Sequence, residues 1–239
     1  MKRLIKSLIT ITPYRIVRDQ GANRFHAIDP CLRMLKKRGF SPRIILDCGA
    51  HVGSFSVATQ QIFPDAVFHL VEPQPACRST LQVLCNSTPS FVFHDCALGD
   101  RSGSVNLAVA DEATTGAHVA VLGEKVVSVP AETLDKLFGF ITLNDRALLK
   151  LDLQGYEMYA LRGAAALLRS VEVILTEVSF YAQAYEPPIA TLIAFLDGHG
   201  FVLYDIASLA DRTRDSRPRQ GDFIFVRKES PLAVDTRWD

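Results

Sequence analysis

The sequence predicts an α/β fold: a doubly wound, seven-stranded mixed sheet with a β-hairpin insertion and an N-terminal helical extension. Three observations lead to this prediction. Short apolar runs alternate with helical patterns, a glycine turn follows the first run, and a polar loop without a helical pattern joins the last two runs. Uniformly apolar strands are buried on both faces, so helices must cover both sides of a largely parallel sheet. The helix-free connection predicts that the last two strands pair antiparallel.

The first half of the chain contains three predicted strands separated by helices. The strands, each rich in Val, Ile, Leu or Phe, are residues 43–47, 66–71 and 91–94. The helical patterns between them cover residues 55–63 and 75–86, and Pro64 ends the first of these. Residues 98–130 contain short Val-rich stretches between glycines, which predicts the β-hairpin insertion.

Regular alternation resumes in the second half of the chain. The predicted strands are residues 147–152, 171–176, 201–206 and 223–226, and the predicted helices are residues 157–169 and 189–198. An arginine-rich loop over residues 211–220 joins the last two strands. Because there is no repeat and no low-complexity tract, we expect one domain over residues 42–230, with the helical extension at 1–41 and a C-terminal tail at 231–239.

The net charge of zero favours neither a nucleic-acid nor a membrane partner, but the charges are unevenly distributed. Residues 1–43 contain eleven Lys or Arg and two Asp, a net charge of +9, and the remainder carries −9. Within this basic segment Leu4, Ile5, Leu8 and Ile9 have helical spacing. We expect a helix that packs on the acidic body; peripheral contact with a membrane through anionic lipid is the alternative.

Cysteine content and hydropathy favour a cytoplasmic location. The five cysteines are an odd number and form no C-x-x-C pair, which argues against a disulfide framework and against a zinc site. No apolar run approaches the roughly 20 residues of a membrane-spanning helix. The apolar stretch at the N-terminus ends at Pro13 without a cleavage site, so we expect neither a signal peptide nor a transmembrane segment.

The turn after the first strand carries the strongest functional signal. Asp47 ends the strand, and Gly49 and Gly53 bracket the turn, where the absence of a side chain allows backbone to approach a ligand. Ligands of doubly wound folds bind at the carboxyl ends of the strands. Glu72 ends the next strand, 19 residues after Gly53, where a carboxylate accepts hydrogen bonds from ribose hydroxyls. This pattern predicts a nucleoside ligand; a structural glycine turn with Glu72 as a helix cap is the alternative.

The glycine spacing distinguishes between nucleoside cofactors. Dinucleotide-binding turns have the pattern G-x-G-x-x-G, whereas this turn reads Asp-x-Gly-x-x-x-Gly, with Ala50 and His51 where the second glycine is required. A carboxylate beside the turn repels a pyrophosphate and attracts an ammonium group. S-adenosylmethionine has an amino group and a sulfonium and no phosphate, so the sequence favours this methyl donor over NAD.

Beyond this turn the chain resembles the FkbM-type methyltransferases, class I enzymes that use S-adenosylmethionine. The matching stretches, which span about residues 42–228, are LDCGAHVGSFS (46–56), VEPQP (71–75), CALGDRSG (96–103), ETLDKL (132–137), LLKLDLQGYEMYALRGA (148–164), VILTEVSF (173–180) and DFIFV (222–226). The fifth of these stretches is the most specific. His51 departs from the family, whose members usually have Asn at this position.

The resemblance implies a Rossmann-like fold and a set of cofactor-binding positions. Around the donor it places Asp47, Gly49, Ala50, His51, Gly53, Glu72, Pro73, Asp95 and Cys96. It implies that the glycine turn holds the methionine portion, that Glu72 holds the ribose and that Asp95 and Cys96 flank the adenine. The implied acceptor is a hydroxyl on a sugar or secondary metabolite, including a glycan or glycolipid. No nucleic-acid partner and no metal ligands are predicted.

Two carboxylates are candidates for the general base that takes the proton from the acceptor hydroxyl. Asp152 ends the strand 147–152 and Glu177 follows the strand 171–176, so we expect both to project over the cofactor. The alternatives are structural: Asp152 fixes the following backbone, and Glu177 caps a helix. His118 is the second-choice base.

Other assignments remain open. Lys150, two residues before Asp152, is expected to pair with Glu157 or Glu177. A catalytically silent cofactor-binding partner protein is an alternative function, against which the retained donor motif and Asp152 argue. A nicotinamide-dependent oxidoreductase is the other alternative, and it lacks the glycine spacing that it requires.

Overall fold

The computed structural model describes residues 27–108, 118–119, 126–182 and 187–234, and its largest element is a seven-stranded sheet. The strands are β1 (Ile44–Cys48), β2 (Val67–Val71), β3 (Phe91–His94), β4 (Ala97–Leu98), β5 (Gly103–Ala108), β6 (His118–Val119), β7 (Val126–Glu132), β8 (Ala147–Leu151), β9 (Val171–Ser179), β10 (Phe201–Asp211) and β11 (Pro218–Arg227). The helices are α1 (Ile28–Lys37), α2 (Ser54–Gln60), α3 (Pro75–Ser87), α4 (Leu134–Phe138), α5 (Glu157–Arg162), α6 (Ile189–Gly198) and α7 (Pro231–Val234), with short 3₁₀ helices at Leu143–Asp145 and Leu167–Arg169.

The main sheet has the strand order β10-β11-β9-β8-β1-β2-β3, which confirms the predicted seven-stranded mixed sheet. β1 is parallel to β2 and β8, and β8 is parallel to β9. β11 runs antiparallel to both of its neighbours, β9 and β10, so the predicted antiparallel pairing of the last two strands is confirmed. The strand order reverses beside β1, and sheets of this kind form a crevice there, at the carboxyl ends of their strands.

Hydrophobic clusters cover both faces of the main sheet, as a doubly wound fold requires. One cluster joins α1 and α3 to the sheet through Leu32 and Leu81, and the other joins α5 through Leu161. Successive residues of a strand point to opposite faces, and in β8 Leu148 belongs to the first cluster while Leu149 belongs to the second. The strands are therefore buried on both sides, which explains their uniformly apolar sequences.

Both ends of the described chain pack on this core. α1 contributes Ile28 and Leu35 to the cluster that contains Ile45 of β1, and α7 contributes Leu232. The predicted basic helix in the first 26 residues and the last five residues of the predicted tail lie outside the described chain. In the part of the chain that the structure describes, no helix has the length and apolar character needed to cross a membrane.

The predicted hairpin insertion is a small sheet of four short strands in the order β4-β7-β5-β6. β5 and β7 pair antiparallel, but β6 lies between them in the chain, so the insertion is more elaborate than the predicted hairpin. β4 adds a parallel strand beside β7, and β6 adds an antiparallel strand beside β5. Residues 109–117 and 120–125 of the predicted insertion lie outside the described chain.

The helix predicted to continue to Arg169 ends at Arg162. A Cβ at Gly163 would lie 2.2 Å from the carbonyl oxygen of Gly99, so this glycine allows a close approach between two backbone segments. The Asp135 carboxylate then accepts hydrogen bonds from two backbone N–H groups of the following turn. These tertiary contacts end the helix, and the local periodicity contains no sign of them.

The last three strands are longer than predicted. β9 continues to Ser179 because it pairs with β11 along most of its length, and the β10–β11 hairpin extends to Asp211 and Pro218. The predicted loop over residues 211–220 is therefore much shorter. Glu177 consequently lies inside β9, not beyond its end as predicted.

Candidate functional site

A cavity of about 990 Å³ lies at the carboxyl ends of the strands, where the strand order reverses. Small-molecule sites commonly have volumes of about 300–1,000 Å³. The loops after β1, β2, β3 and β8 line this cavity together with α2, α3 and the small sheet. Among the described residues of its wall are two carboxylates, Glu72 and Asp152, and two histidines, His51 and His118, and none is Lys or Arg.

The two glycines of the first turn allow close packing of neighbouring segments. Gly49 has a φ of +79°, and a Cβ there would lie 1.9 Å from the carbonyl oxygen of Asp152. Gly53 has a φ of +82°, and its Cβ would lie 2.4 Å from a methyl group of Leu84 on α3. Gly49 therefore lets the turn after β1 contact the turn after β8, and Gly53 lets α2 pack against α3.

Glu72 connects the turn after β1 to the turn after β2. Its Oε2 accepts a hydrogen bond from His51 N–H at 2.7 Å, and its Oε1 accepts one from Gln74 N–H at 3.0 Å. Burial raises the pKa of Glu72 above its ordinary value, and these hydrogen bonds and the charge of Lys150 oppose that rise. Each carboxylate oxygen has two lone pairs, so Glu72 can still accept hydrogen bonds from a ligand in the cavity.

His51 occupies the position where the family usually has Asn. Its φ is +51°, a left-handed conformation in which Asn, Asp and His are enriched among non-glycine residues. The turn therefore tolerates this departure. Among the residues that the structure describes, the buried Nε2 of His51 has no hydrogen-bond partner. This nitrogen belongs to a residue of the cavity wall and is available to a ligand.

Lys150 is a buried cation between the turns after β1 and β8. Its Nζ lies 2.9 Å from Asp47 Oδ1 and 3.8 Å from Asp152 Oδ2, and it donates a hydrogen bond to the carbonyl oxygen of Gly49 at 2.7 Å. The predicted pairing of Lys150 with Glu157 or Glu177 is therefore wrong. Asp47 is fully buried and also accepts a hydrogen bond from Ser56 at 2.7 Å, so it faces Lys150 and α2 instead of the cavity.

Asp152 lies on the cavity wall at the start of the turn after β8. Its Oδ1 accepts a hydrogen bond from Gln154 Nε2 at 2.9 Å, and its backbone N–H donates to Cys48 O at 3.1 Å. Gln154 and Gly155 have φ values of +52° and +96°, which make the turn tight. The carboxylate is thus held in place by its own turn, by the turn after β1 and by Lys150.

Glu157 stabilises the backbone of the same turn. Its Oε1 accepts hydrogen bonds from Leu153 N–H at 2.7 Å and Gly155 N–H at 3.3 Å. Burial raises the pKa of Glu157 to about 7, against the lowering effect of these hydrogen bonds, and the Glu177 carboxylate adds to the rise. Glu157 is therefore a carboxylate that fixes the backbone on either side of Gln154.

The structure places the remaining candidates in different environments. Glu177 accepts a hydrogen bond from Gln220 Nε2 at 2.5 Å and lines a separate, much smaller cavity with Glu157. Asp95 forms an ion pair with Arg78 at 2.5 Å at the protein surface. Cys96 lines the main cavity, and burial raises the pKa of its thiol to about 11, so it is uncharged at neutral pH.

The structure brings together most of the predicted site residues. On the cavity wall lie Gly49, Ala50, His51, Glu72, Pro73, Cys96 and Asp152, with His118 of β6 beside them. Away from the wall lie Asp47, Gly53, Asp95 and Glu177. Sequence reasoning missed the roles of Lys150 and Glu157. The signal for Lys150 was a charged residue in an otherwise uniformly apolar strand, because a buried charge requires a partner.

Comparisons with known proteins find one matching family and several similar folds. The family profile described as "Methyltransferase FkbM domain" matches residues 47–203. Among solved structures, methyltransferase FkbM from Methylobacillus flagellatus KT has a TM-score of 0.51 and 16% sequence identity, with the match covering 76% of this chain and 43% of that one. This chain therefore spans less than half the length of that protein.

A second solved structure illustrates the similarity over nearly the full chain. It is magnesium protoporphyrin IX methyltransferase from Synechocystis PCC 6803 with bound SAM, at a TM-score of 0.46 and 12% identity, covering 95% of this chain and 96% of that one. At 16% identity, the likeness to the Methylobacillus flagellatus protein concerns the fold alone. No curated protein matches the sequence.

Proposed function

The chain belongs to the FkbM methyltransferase family, and from this premise we propose that it transfers the methyl group of S-adenosylmethionine to a hydroxyl of a sugar or secondary-metabolite acceptor. One observation carries the choice of donor: the described cavity wall contains two carboxylates and no Lys or Arg. Such a wall suits a ligand with an ammonium and a sulfonium. It is unfavourable for a pyrophosphate, which dinucleotide sites neutralise or hold on backbone N–H groups.

The residues present fit this donor. Glu72 offers its remaining lone pairs to ribose hydroxyls, and His51 Nε2 offers a hydrogen-bonding group that has no partner among the described residues. The uncharged Cys96 and the neighbouring Ala97 provide an apolar surface for the adenine. Asp47 does not line the cavity; it contributes to the site indirectly, through its ion pair with Lys150.

We propose that Asp152 is the general base that takes the proton from the acceptor hydroxyl. When bound, the donor supplies an electrophilic methyl group on sulfur. The acceptor hydroxyl must lose its proton as the new C–O bond forms, and a positioned carboxylate is a suitable group to take it. Asp152 is the carboxylate on the wall other than the one assigned to the ribose, and Gln154 and Lys150 fix its orientation. Glu177 lies in a separate cavity and is a weaker candidate than His118.

Methyl transfer itself tests the proposed reaction. The protein is incubated with isotopically labelled S-adenosylmethionine and a panel of monosaccharide glycosides and macrolide alcohols, with matched amines and thiols in the same panel. We expect labelled methyl ethers, identified by mass spectrometry. Labelled products confined to the amines or thiols would contradict transfer to oxygen.

Replacement of Glu72 by Gln should weaken binding of S-adenosylhomocysteine by about 1.5–3 kcal/mol, the range for hydrogen bonds to a charged group. Gln keeps the size of the side chain but replaces one accepting oxygen by an NH₂ group that cannot accept. Calorimetric titration measures the affinity, and Glu229→Gln, at an exposed position, is the matched control. Unchanged affinity in a folded Glu72→Gln protein would remove Glu72 from the binding site.

A further inference from the structure

Two stacked tyrosines stand at one end of the cavity. Tyr156 lines the cavity directly after the turn that carries Asp152, and its ring stacks on Tyr159 with centroids 4.2 Å apart and an interplanar angle of 10°. The guanidinium of Arg162 lies 5.4 Å from the centroid of the Tyr159 ring. Because these three residues follow one another at helical spacing, the ring of Tyr156 is braced against α5.

The segment after β4 lies close to Tyr156, and the small sheet continues the cavity wall. A Cβ at Gly99, directly after β4, would lie 4.0 Å from Tyr156 Cε1. Leu98 of β4 and Leu107 of β5 line the cavity with their otherwise buried side chains. We call Tyr156, Leu98 and the neighbouring Gln154 the aromatic end of the cavity. None of these residues has a role in the donor site proposed above.

The aromatic end combines one ring, one aliphatic side chain and hydrogen-bonding groups. The face of a tyrosine ring carries partial negative charge and attracts weakly positive C–H groups. Gln154 and Asp152 provide polar atoms at the same end, where a small number of such groups fixes the orientation of a ligand. A saturated ring with C–H groups on its faces and hydroxyls around its rim satisfies both kinds of surface at once.

We propose that the aromatic end is the acceptor subsite, that its ligand is a pyranose ring, and that Tyr156 determines this specificity as the platform on which the ring lies. The proposal rests on the proposed function, because it gives the acceptor a place beside Asp152. Tyr159 acts through Tyr156: it holds the ring in one orientation and does not line the cavity.

Saturation-transfer difference NMR tests the platform without knowledge of the natural acceptor. The probes are methyl β-D-glucopyranoside, methyl β-D-galactopyranoside and methyl α-L-rhamnopyranoside, with the acyclic D-glucitol as the control ligand, all in the presence of saturating S-adenosylhomocysteine. We expect ring C–H signals from at least one glycoside and none from D-glucitol. Absence of every glycoside signal in a protein that binds S-adenosylhomocysteine would overturn the proposal.

Variants then assign the signal to Tyr156. The stacking contribution of an aromatic ring corresponds to a loss of roughly 2- to 12-fold in glycoside affinity for Tyr156→Ala. Tyr156→Phe keeps the ring and should keep the affinity, and Tyr159→Ala should weaken it by less than Tyr156→Ala does. Tyr204→Ala is the matched control, because the Tyr204 hydroxyl accepts a hydrogen bond from Arg38 and the residue does not line the cavity. Glycoside affinity unchanged in Tyr156→Ala, or lost equally in Tyr156→Phe, would contradict a stacking platform.

S-adenosylhomocysteine affinity, measured on the same samples, separates the two proposals. We expect it to be unchanged in every Tyr156 variant. A wild-type protein that binds a glycoside but not S-adenosylhomocysteine would refute the proposed function and leave a sugar site. A protein that binds S-adenosylhomocysteine but no glycoside would refute only the acceptor subsite. If Tyr156→Ala does not fold, the wild-type and Tyr156→Phe spectra still decide the outcome.

Discussion

Replacement of Asp152 by Asn should lower the rate of methyl transfer by roughly 10²- to 10⁴-fold, the usual contribution of a positioned general base. Asn keeps the shape of the side chain and can keep the hydrogen bond with Gln154, but it cannot take a proton. Affinity for S-adenosylhomocysteine should stay near that of the wild type, because Glu72 and the turn after β1 provide the proposed donor contacts. Single-turnover transfer to a verified acceptor measures the rate, and calorimetry measures the affinity.

Asp197→Asn is the matched control, because Asp197 is exposed and forms an ion pair with Lys228 at the surface. Full activity of Asp152→Asn would make Asp152 a structural carboxylate, and His118 would become the next candidate for the base. A metal ion at Asp152 is the competing explanation, since a bound cation also lowers the pKa of a hydroxyl. A chelator should leave the wild-type rate unchanged if Asp152 acts as the base, and should abolish it if a metal does.

Replacement of Lys150 by Met should lower the free energy of unfolding by about 3–5 kcal/mol, the cost of removing one partner of a buried ion pair. Met fills most of the space of the lysine side chain, so the loss reports the charge rather than a cavity. The substitution leaves Asp47 fully buried without its cation, and it removes the hydrogen bond to Gly49 O. Chemical denaturation monitored by circular dichroism measures the change.

Two further variants check this explanation. Lys136→Met removes an exposed ion pair with Glu132 and should leave the free energy of unfolding nearly unchanged. Asp47→Asn combined with Lys150→Met removes both charges and should recover part of the stability lost in Lys150→Met alone. A loss below about 1 kcal/mol in Lys150→Met would contradict an ionised, mutually dependent pair.

The architecture could be predicted from sequence because each element carries its own signal. Apolar runs report strands buried on both faces, and the missing helix between the last two runs reports their antiparallel pairing. What could not be predicted depends on contacts between distant segments. α5 ends early because Gly163 meets Gly99, and β9 continues past Thr176 because β11 pairs with it.

In the site, too, some positions follow from local sequence signals and others depend on contacts between distant segments. The positions of Glu72 and Asp152 follow from their places after strands, and both lie on the cavity wall. Because β9 is longer than predicted, Glu177 lies within the strand and lines the smaller cavity. No local sequence pattern indicates this extension. The acidic Asp47 was expected to face the ligand, but a charged residue in the adjacent strand, Lys150, binds it from below. Pairing across strands has no fixed spacing in sequence, and the contact could be found only in three dimensions.

The claim on which the rest depends is that the cavity binds a phosphate-free nucleoside that carries an ammonium group. Calorimetric titration of the wild-type protein with S-adenosylhomocysteine and, separately, with NAD tests it most directly. Because the described wall carries Glu72 and Asp152 and no cationic side chain, we expect saturable binding of S-adenosylhomocysteine at one site per chain and no heat of binding for NAD. Binding of NAD with no binding of S-adenosylhomocysteine would contradict the methyl-donor site.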